Sequence, residues 1–280
     1  MNRDDSYEYH YPELHSETDH WIISRLNKVI RSATENLNKY ELAIAGNEIM
    51  DFVWNDFCSM YIEFTKSALN SDDIALKHQT LDTLIYVLEA ILKLLHPFIP
   101  FVTEEIYQNI HDRKHSIMKE TWPKNREDAD DDKAEAIDKV IEIIRKTREI
   151  RTENDIKPSK ELHILLEGME PDASLRSILA RMTKLDIIEK TDQETIVRPT
   201  TFGNILYLMD EIVDRKAELE KIEKELERLE KEIARSEGML KNERFLAKAP
   251  AEKVEEERNK LMNYQSSYDT LKEKKKELDQ

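Results

Sequence analysis

Apolar residues recur at helical spacing through residues 1–110, which predicts a series of amphipathic helices. The first helix follows Ser16 and Asp19, whose spacing is typical of a capping box at a helix N-terminus. Its apolar stripe runs through Ile22, Leu26, Val29, Ala33, Leu37 and Tyr40. We expect this stripe to face the interior of a bundle.

Three more helices are predicted in the same region. The second covers about residues 42–64, and the third, over 76–95, is apolar around much of its circumference and is expected to be central. Pro97 and Pro100 end the third helix, because proline lacks an amide hydrogen and disfavours helix in the residue before it. Four helices joined by short links predict an antiparallel helical bundle in residues 1–132.

The middle of the chain, residues 133–209, combines helical patterns with short β-prone runs, which predicts a small α/β module. Helices are expected over about 136–151 and 174–184. The β-prone runs are Leu162–Leu166, Ile187–Ile188, Thr195–Val197 and Ile205–Leu208. The order of these strands in a sheet does not follow from the sequence alone.

The last part of the chain, residues 210–280, carries a heptad repeat. Apolar positions step by three and four residues from Leu219 to Leu240, and a second segment continues the repeat beyond Pro250. Because proline is tolerated at a helix start and not in its interior, we expect the chain to reverse near residue 250. The prediction is an antiparallel coiled-coil hairpin with arms of about 45 Å, at 1.5 Å per residue. The alternative is a parallel dimer through one arm.

Composition narrows the classes of function. The chain has 280 residues, a formal net charge of −16 and a single cysteine, which excludes a disulfide framework. No apolar run approaches the roughly 18 residues that cross a membrane, and the acidic start is unlike a signal peptide. None of the histidines lies at zinc-binding spacing. We expect a mainly α, soluble, cytoplasmic protein without a metal site.

Negative charge repels the phosphates of nucleic acids, so any RNA binding must depend on local basic segments. Residues 145–160 hold six basic residues against three acidic ones, and residues 241–253 hold four against two. The alternative interpretation is that both segments are solvated helix faces.

Five segments resemble the class Ia aminoacyl-tRNA synthetases. Residues 96–107 (HPFIPFVTEEIY) are similar to the signature of their anticodon-binding bundle. Residues 19–27 (DHWIISRLN) and 52–63 (FVWNDFCSMYIE) resemble helices of the valyl enzymes. Residues 150–160 (IRTENDIKPSK) resemble the α/β linker of the same enzymes, and residues 242–250 (NERFLAKAP) resemble their coiled-coil hairpin. The chain therefore resembles the C-terminal region of the valyl-tRNA synthetase family.

The resemblance implies a function in tRNA binding. In that family the bundle contacts the anticodon and the coiled-coil arm lies along the tRNA body. The HIGH and KMSKS motifs, which hold ATP in the family, do not occur in these residues, and neither does the editing domain. We therefore expect no catalytic residue and no cofactor in this chain, ATP belonging to the full-length enzyme, and no aminoacylation by these residues alone. The implied partners are tRNA(Val) and the N-terminal catalytic and editing domains of the same enzyme, with the chain a monomer that contacts no membrane.

The resemblance and the basic segments together give two groups of candidate tRNA-binding residues. Those in the arm are Lys241, Arg244 and Lys248. Those in the bundle and linker are Tyr9, Arg25, Lys28, Arg145, Arg148, Arg151 and Lys157. For Tyr9 the alternative is a disordered chain end. For the basic residues the alternative is plain solvation.

Two other functions fit the sequence. One is a structural coiled-coil protein that associates through the seam over residues 219–240. The other is the corresponding fragment of a leucyl-, isoleucyl- or methionyl-type synthetase, since the bundle signature is common to class Ia.

Overall fold

The computed structural model describes residues 7–110, 115–212, 215–242 and 250–278. Its N-terminal part is the predicted helical bundle. The bundle consists of α1 (Glu17–Asn38), α2 (Leu42–Asp51), a π-helical segment (Phe52–Tyr61), α3 (Ile62–Leu69), α4 (Ile74–Leu95) and α5 (Pro100–Ile110). The π-helical segment runs directly into α3, so the second predicted helix is one continuous rod that ends at Leu69.

The capping box at the start of α1 is confirmed. The amide of Asp19 donates to Ser16 Oγ at 3.1 Å, and the amide of Ser16 donates to Asp19 Oδ2 at 3.1 Å. Each side chain therefore satisfies a backbone donor that has no partner within the helix.

The prediction that Tyr40 continues the buried stripe of α1 is wrong. The helix ends at Asn38, and Tyr40 lies in the following turn with a φ of 60°. This left-handed conformation reverses the chain before α2 begins, so residue 40 leaves the helical period. Its side chain is 88% exposed.

The central position of α4 is confirmed. Leu81, Ile85, Val87 and Leu94 are all buried, and polar residues of the same helix, such as Thr83, are buried with them. Burial around most of its circumference is the pattern expected for a helix surrounded by others.

The middle of the chain forms the predicted α/β module. Its elements are α6 (Asp131–Glu153), β1 (Leu162–Glu167), α7 (Ala173–Thr183), β2 (Leu185–Ile187), β3 (Thr195–Thr200), β4 (Gly203–Leu208) and α8 (Met209–Ile212). The sheet order is β2-β1-β4-β3, with β1 parallel to β2 and the other pairs antiparallel. The helix α7 connects the two parallel strands, as such a crossover requires.

Helix α6 starts five residues before its predicted position. The carboxylate of Asp130 accepts hydrogen bonds from the amides of Asp132 and Lys133, at 3.0 and 3.2 Å, and so caps the helix. The predicted division between residues 132 and 133 falls within this first turn. The core also crosses the division, because Trp21 of the bundle and Ile137 of α6 belong to one buried cluster.

The C-terminal part is a helical hairpin of α9 (Arg215–Lys241) and α10 (Ala251–Leu278). Three side-chain contacts fix its direction. Each is a side-chain hydrogen bond between α9 and α10. The carboxylate of Glu223 accepts one from Lys275 at 2.6 Å, and that of Glu230 accepts one from Tyr268 at 2.7 Å. The carboxylate of Glu257 accepts the third from Ser236 at 2.7 Å. Because later residues of α10 face earlier residues of α9, the arms are antiparallel, as predicted.

The predicted seam lies inside this hairpin. Ile222, Leu229 and Ser236 of α9 are buried, and Leu261 and Leu271 of α10 are half-buried. The apolar face of α9 therefore packs against α10 of the same chain.

Within the described residues, no helix has the length and apolar character needed to cross a membrane.

Candidate nucleic-acid interface

Of the three predicted arm residues, the structure describes Lys241. Lys241 is the last residue of α9, with a side chain that is 77% exposed and 3.1 Å from Glu237 Oε2. An exposed pair of this kind is weak, so the ammonium group can exchange Glu237 for a phosphate. Arg244 and Lys248 lie outside the described residues.

Arg25 connects the bundle to the α/β module. Its Nη2 donates to Asp138 Oδ1 at 2.6 Å, and Trp21 Nε1 donates to the same oxygen at 2.7 Å. A carboxylate of α6 thus holds two side chains of α1. Arg25 is therefore already paired before any RNA binds.

Arg25, Lys28 and Arg145 line one cavity of about 390 Å³ between α1, α2, the π-helical segment and α6. The structure brings these three predicted residues together. Three acidic residues line the same cavity, namely Glu48, Asp51 and Asp56. Burial raises the pKa of the Asp56 carboxyl, and the neighbouring Arg25 and Arg145 partly oppose that rise. The cavity is therefore charge-balanced and attracts phosphate weakly.

Arg148, Arg151 and Lys157 line a second cavity, of about 770 Å³, at the C-terminal ends of α6 and α7. Arg148 and Lys157 are exposed, whereas Arg151 is buried. The guanidinium of Arg151 donates to the carbonyl oxygens of Lys157 at 2.9 Å, Lys160 at 2.8 Å and Thr183 at 2.7 Å. Arg151 therefore holds the loop against α7, and the two exposed residues are the ones open to a ligand.

Tyr9 is half-buried and packs against a small cluster that contains Ile85 and Tyr107. Its neighbours hold the segment on α4, since the Tyr7 hydroxyl and the His10 amide both donate to Asp82 Oδ1, at 2.7 and 3.0 Å. The described part of the N-terminal segment is thus packed on the bundle, in contrast to the disordered alternative.

Two exposed aromatic residues at one end of the bundle were not among the predicted site residues. Tyr40 in the α1–α2 turn and Phe101 at the start of α5 are each 88% exposed. The α4–α5 turn packs on α2, because a Cβ on Gly46 would lie 3.3 Å from the ring of Phe98. The signal available in the sequence was an aromatic residue directly after a helix end or directly after Pro100.

The described residues contain no group of three His, Cys, Asp or Glu side chains placed to hold a metal ion.

Two family models match the chain. Residues 19–166 match the anticodon-binding domain of tRNA ligases, and residues 214–279 match the tRNA-binding arm of valyl-tRNA synthetase. The first match covers the bundle, α6 and β1. The second covers the hairpin.

Similar proteins include the valine–tRNA ligases of Staphylococcus saprophyticus, Clostridium tetani and Geobacillus stearothermophilus. Their identities to this chain are 36% over 269 residues, 37% over 270 residues and 35% over 271 residues. The alignments cover 92–93% of this chain and 31% of each relative, so the chain spans about a third of their length.

These matches confirm the resemblance seen in the motifs. The chain belongs to the family of anticodon-binding domains of tRNA ligases, and its C-terminal hairpin matches the tRNA-binding arm of valyl-tRNA synthetases.

Proposed function

We propose that this chain binds tRNA(Val) as the C-terminal part of a valine–tRNA ligase. It recognises and positions the tRNA for ATP-dependent aminoacylation by a catalytic domain that lies outside these residues. The observation that carries the proposal is the exposed aromatic end of an anticodon-binding bundle, followed in the same chain by a tRNA-binding arm.

The bundle end suits single-stranded RNA. Bases of an anticodon loop are unstacked, and exposed aromatic rings offer faces on which they stack. Stacking of one base on such a ring contributes about 1–3 kcal/mol. Tyr40 and Phe101 present rings of this kind, in the α1–α2 turn and at the start of α5.

The arm suits contact with the RNA backbone. Lys241 lies at the C-terminal end of α9, and a lysine binds phosphate as a point charge without reading sequence. The remaining arm candidates, Arg244 and Lys248, extend the same basic segment. Because the whole chain carries a net charge of −16, binding is local, weak and strongly dependent on salt.

The proposal includes the wider context of the enzyme. The chain acts as a cytoplasmic monomer next to the catalytic and editing domains of the same protein. Those domains use ATP, and this chain itself binds no cofactor. The intramolecular hairpin supports the monomer, since the seam of α9 packs on α10.

The test is the binding of labelled tRNA(Val) at low salt, compared with tRNA(Ile) and with tRNA(Val) carrying a changed anticodon. We expect preference for the intact cognate tRNA. The double variant Tyr40→Ala/Phe101→Ala should lose about tenfold in affinity, the effect of one stacked base. The control is Trp54→Ala, which removes an aromatic residue that is 61% exposed on the π-helical segment.

Equal binding of all three tRNAs would contradict anticodon recognition by this chain and leave only positioning. Absence of binding to any tRNA would contradict the proposal as a whole.

A further inference from the structure

The cavity at the ends of α6 and α7 has the chemistry of a nucleotide site. We propose that it holds one unstacked nucleotide of the bound RNA, at a place separate from the aromatic end of the bundle. The inference rests on the proposed tRNA binding and assigns a second contact to it. The cavity volume of about 770 Å³ lies within the usual range for small-molecule sites, roughly 300–1,000 Å³.

The walls of the cavity are fixed before a ligand arrives. Arg151 joins the 157–160 loop to the end of α7 through three carbonyl groups. The amide of Ile156 donates to the carbonyl of Arg151 at 2.8 Å, and Asp155 holds a φ of 52° in the turn between them. A site built in this way loses little conformational entropy on binding.

The floor and the rim of the cavity differ in character. Ile156, Pro158 and Met182 supply apolar surface, whereas Arg148 and Lys157 are exposed cations at the rim. An apolar surface beside two cations fits a nucleobase with its phosphate, because the face of the base packs on apolar side chains and the phosphate pairs with positive charge.

The charge of this cavity separates it from the charge-balanced cavity at Arg25. Its lining has three basic residues and one acidic residue, Asp155. Within the described part of the chain, neither Arg148 nor Lys157 forms an ion pair. Arg151 is engaged by carbonyl groups, including that of Thr183 at the end of α7. The cations that remain available to a ligand are therefore those of Arg148 and Lys157 at the rim.

The hydroxyl groups of the cavity are already engaged. Thr147 Oγ1 contacts the carbonyl of Ile143 and the hydroxyl of Tyr207, and Thr183 Oγ1 donates to the carbonyl of Leu179. Few groups remain to read base edges, so we expect the site to accept any base. Its contribution is then affinity and placement of the RNA, with little sequence discrimination.

Two variants separate the base from the phosphate. Thr152→Trp, on the exposed wall of the cavity, fills the space for the base and should weaken tRNA binding about tenfold, as loss of one stacked base does. The double variant Arg148→Gln/Lys157→Gln should reduce the slope of log K against log salt by about 2, one for each lost phosphate contact. The control is Lys124→Gln/Lys190→Gln, which removes two exposed lysines elsewhere and should leave the slope unchanged.

A direct readout is the NMR signal of the Met182 methyl group, observed in the full chain with labelled methionine. We expect it to shift on addition of tRNA or AMP and to stay in place with inorganic phosphate. A response to phosphate equal to that with AMP would overturn the nucleobase contact. A response to AMP without a response to tRNA would assign the cavity to free nucleotides and overturn the RNA contact.

The two proposals fail in distinguishable ways. If the unmodified chain binds tRNA and Thr152→Trp binds it equally well, the cavity inference fails while the proposed function stands. If the unmodified chain does not bind tRNA, the proposed function fails first.

Discussion

A hydrogen bond from a tyrosine to a carboxylate occurs both in the C-terminal hairpin and in the rest of the molecule, the helical bundle with the α/β module, here called the body. The surroundings of the two hydrogen bonds are opposite. In the body, Tyr61 donates to Asp19 Oδ1 at 2.7 Å with both residues buried. In the hairpin, Tyr268 donates to Glu230 Oε1 at the same distance on the surface. Water can replace the lost partner only in the second case, so bonds of equal length contribute unequally to stability. The body is held by a large apolar core together with buried polar contacts between distant segments, and the hairpin by a single seam between two helices.

The largest expected effect comes from Arg151. The variant Arg151→Met keeps the aliphatic stem and removes the donors that hold three buried or partly buried carbonyl groups. We expect the free energy of unfolding of the body to fall by about 3 kcal/mol, because unpaired buried polar groups lose their compensation. Denaturant unfolding followed by far-ultraviolet circular dichroism measures the change.

The matched control is Arg148→Met, three residues earlier on the same face of α6 and exposed. It should change the free energy of unfolding by less than about 0.5 kcal/mol, as surface substitutions do. Equal effects of the two variants would show that the hydrogen bonds of Arg151 do not stabilise the packing of α6, the 157–160 loop and α7.

The second prediction compares the two tyrosines directly. Tyr61→Phe should cost about 2 kcal/mol, because it leaves a buried carboxylate short of a donor. Tyr268→Phe should cost less than about 0.5 kcal/mol, because water takes the place of the phenol. Burial and the neighbouring Asp19 raise the pKa of Tyr61 well above its usual range, so the phenol remains a donor in alkaline buffers.

A difference of less than about 0.5 kcal/mol between these two variants would break the comparison between body and hairpin. The measurement is thermal unfolding of each variant beside the parent chain. The near-ultraviolet signal of the fully buried Trp21 reports the body, and the far-ultraviolet signal adds the long helices of the hairpin.

Periodicity predicted the long helices, but it predicted neither the π-helical segment, nor α8, nor the side-chain contacts between elements. The heptad repeat predicted the antiparallel hairpin, and the proline pair predicted the end of α4. Tyr40 was wrongly placed in the core, because its positive φ is a property of the turn that no hydrophobic period encodes. Arg151 reads in the sequence as one more basic residue, and only the fold brings Thr183 to it. The exposure of Phe101 likewise depends on the fold, because its position as the second residue of α5 does not decide whether its ring packs in the bundle.

The third prediction concerns the polar layer in the hairpin seam. Ser236 is buried at a seam position and donates to Glu257, which lies at the facing position of α10. Ser236→Ala should lower the stability of the hairpin by about 1 kcal/mol, the usual net value of a hydrogen bond. The far-ultraviolet melting curve should shift while the near-ultraviolet signal of the body does not.

The control for this layer is Ser266→Ala, a solvent-facing position of α10 that should leave both signals in place. If the near-ultraviolet transition moves together with the far-ultraviolet transition in Ser236→Ala, body and hairpin unfold as one unit. The two parts would then differ in structure but not in stability.

The smallest effect tests where the body ends. Glu211 of α8, the last element before the hairpin, accepts from the amide of His163 at 2.7 Å and lies 2.6 Å from its Nδ1. The hydrogen bond to Glu211 raises the pKa of His163 above its usual 6.5. The folded state therefore binds the proton more tightly than the unfolded state. The stabilisation is complete below about pH 6.5 and disappears as the pH rises through the higher folded-state pKa.

Because this histidine is more than a third exposed, the pH-dependent change should amount to a few tenths of a kcal/mol. Unfolding measured from about pH 6 to about pH 9 should show the decline in the parent chain and a flatter profile in His163→Gln, which keeps a polar group without the titration. A decline of equal size in His163→Gln would place the titrating group elsewhere. If instead the decline is confined to the parent and appears in the near-ultraviolet transition alone, α8 belongs energetically to the body, and the hairpin begins beyond it.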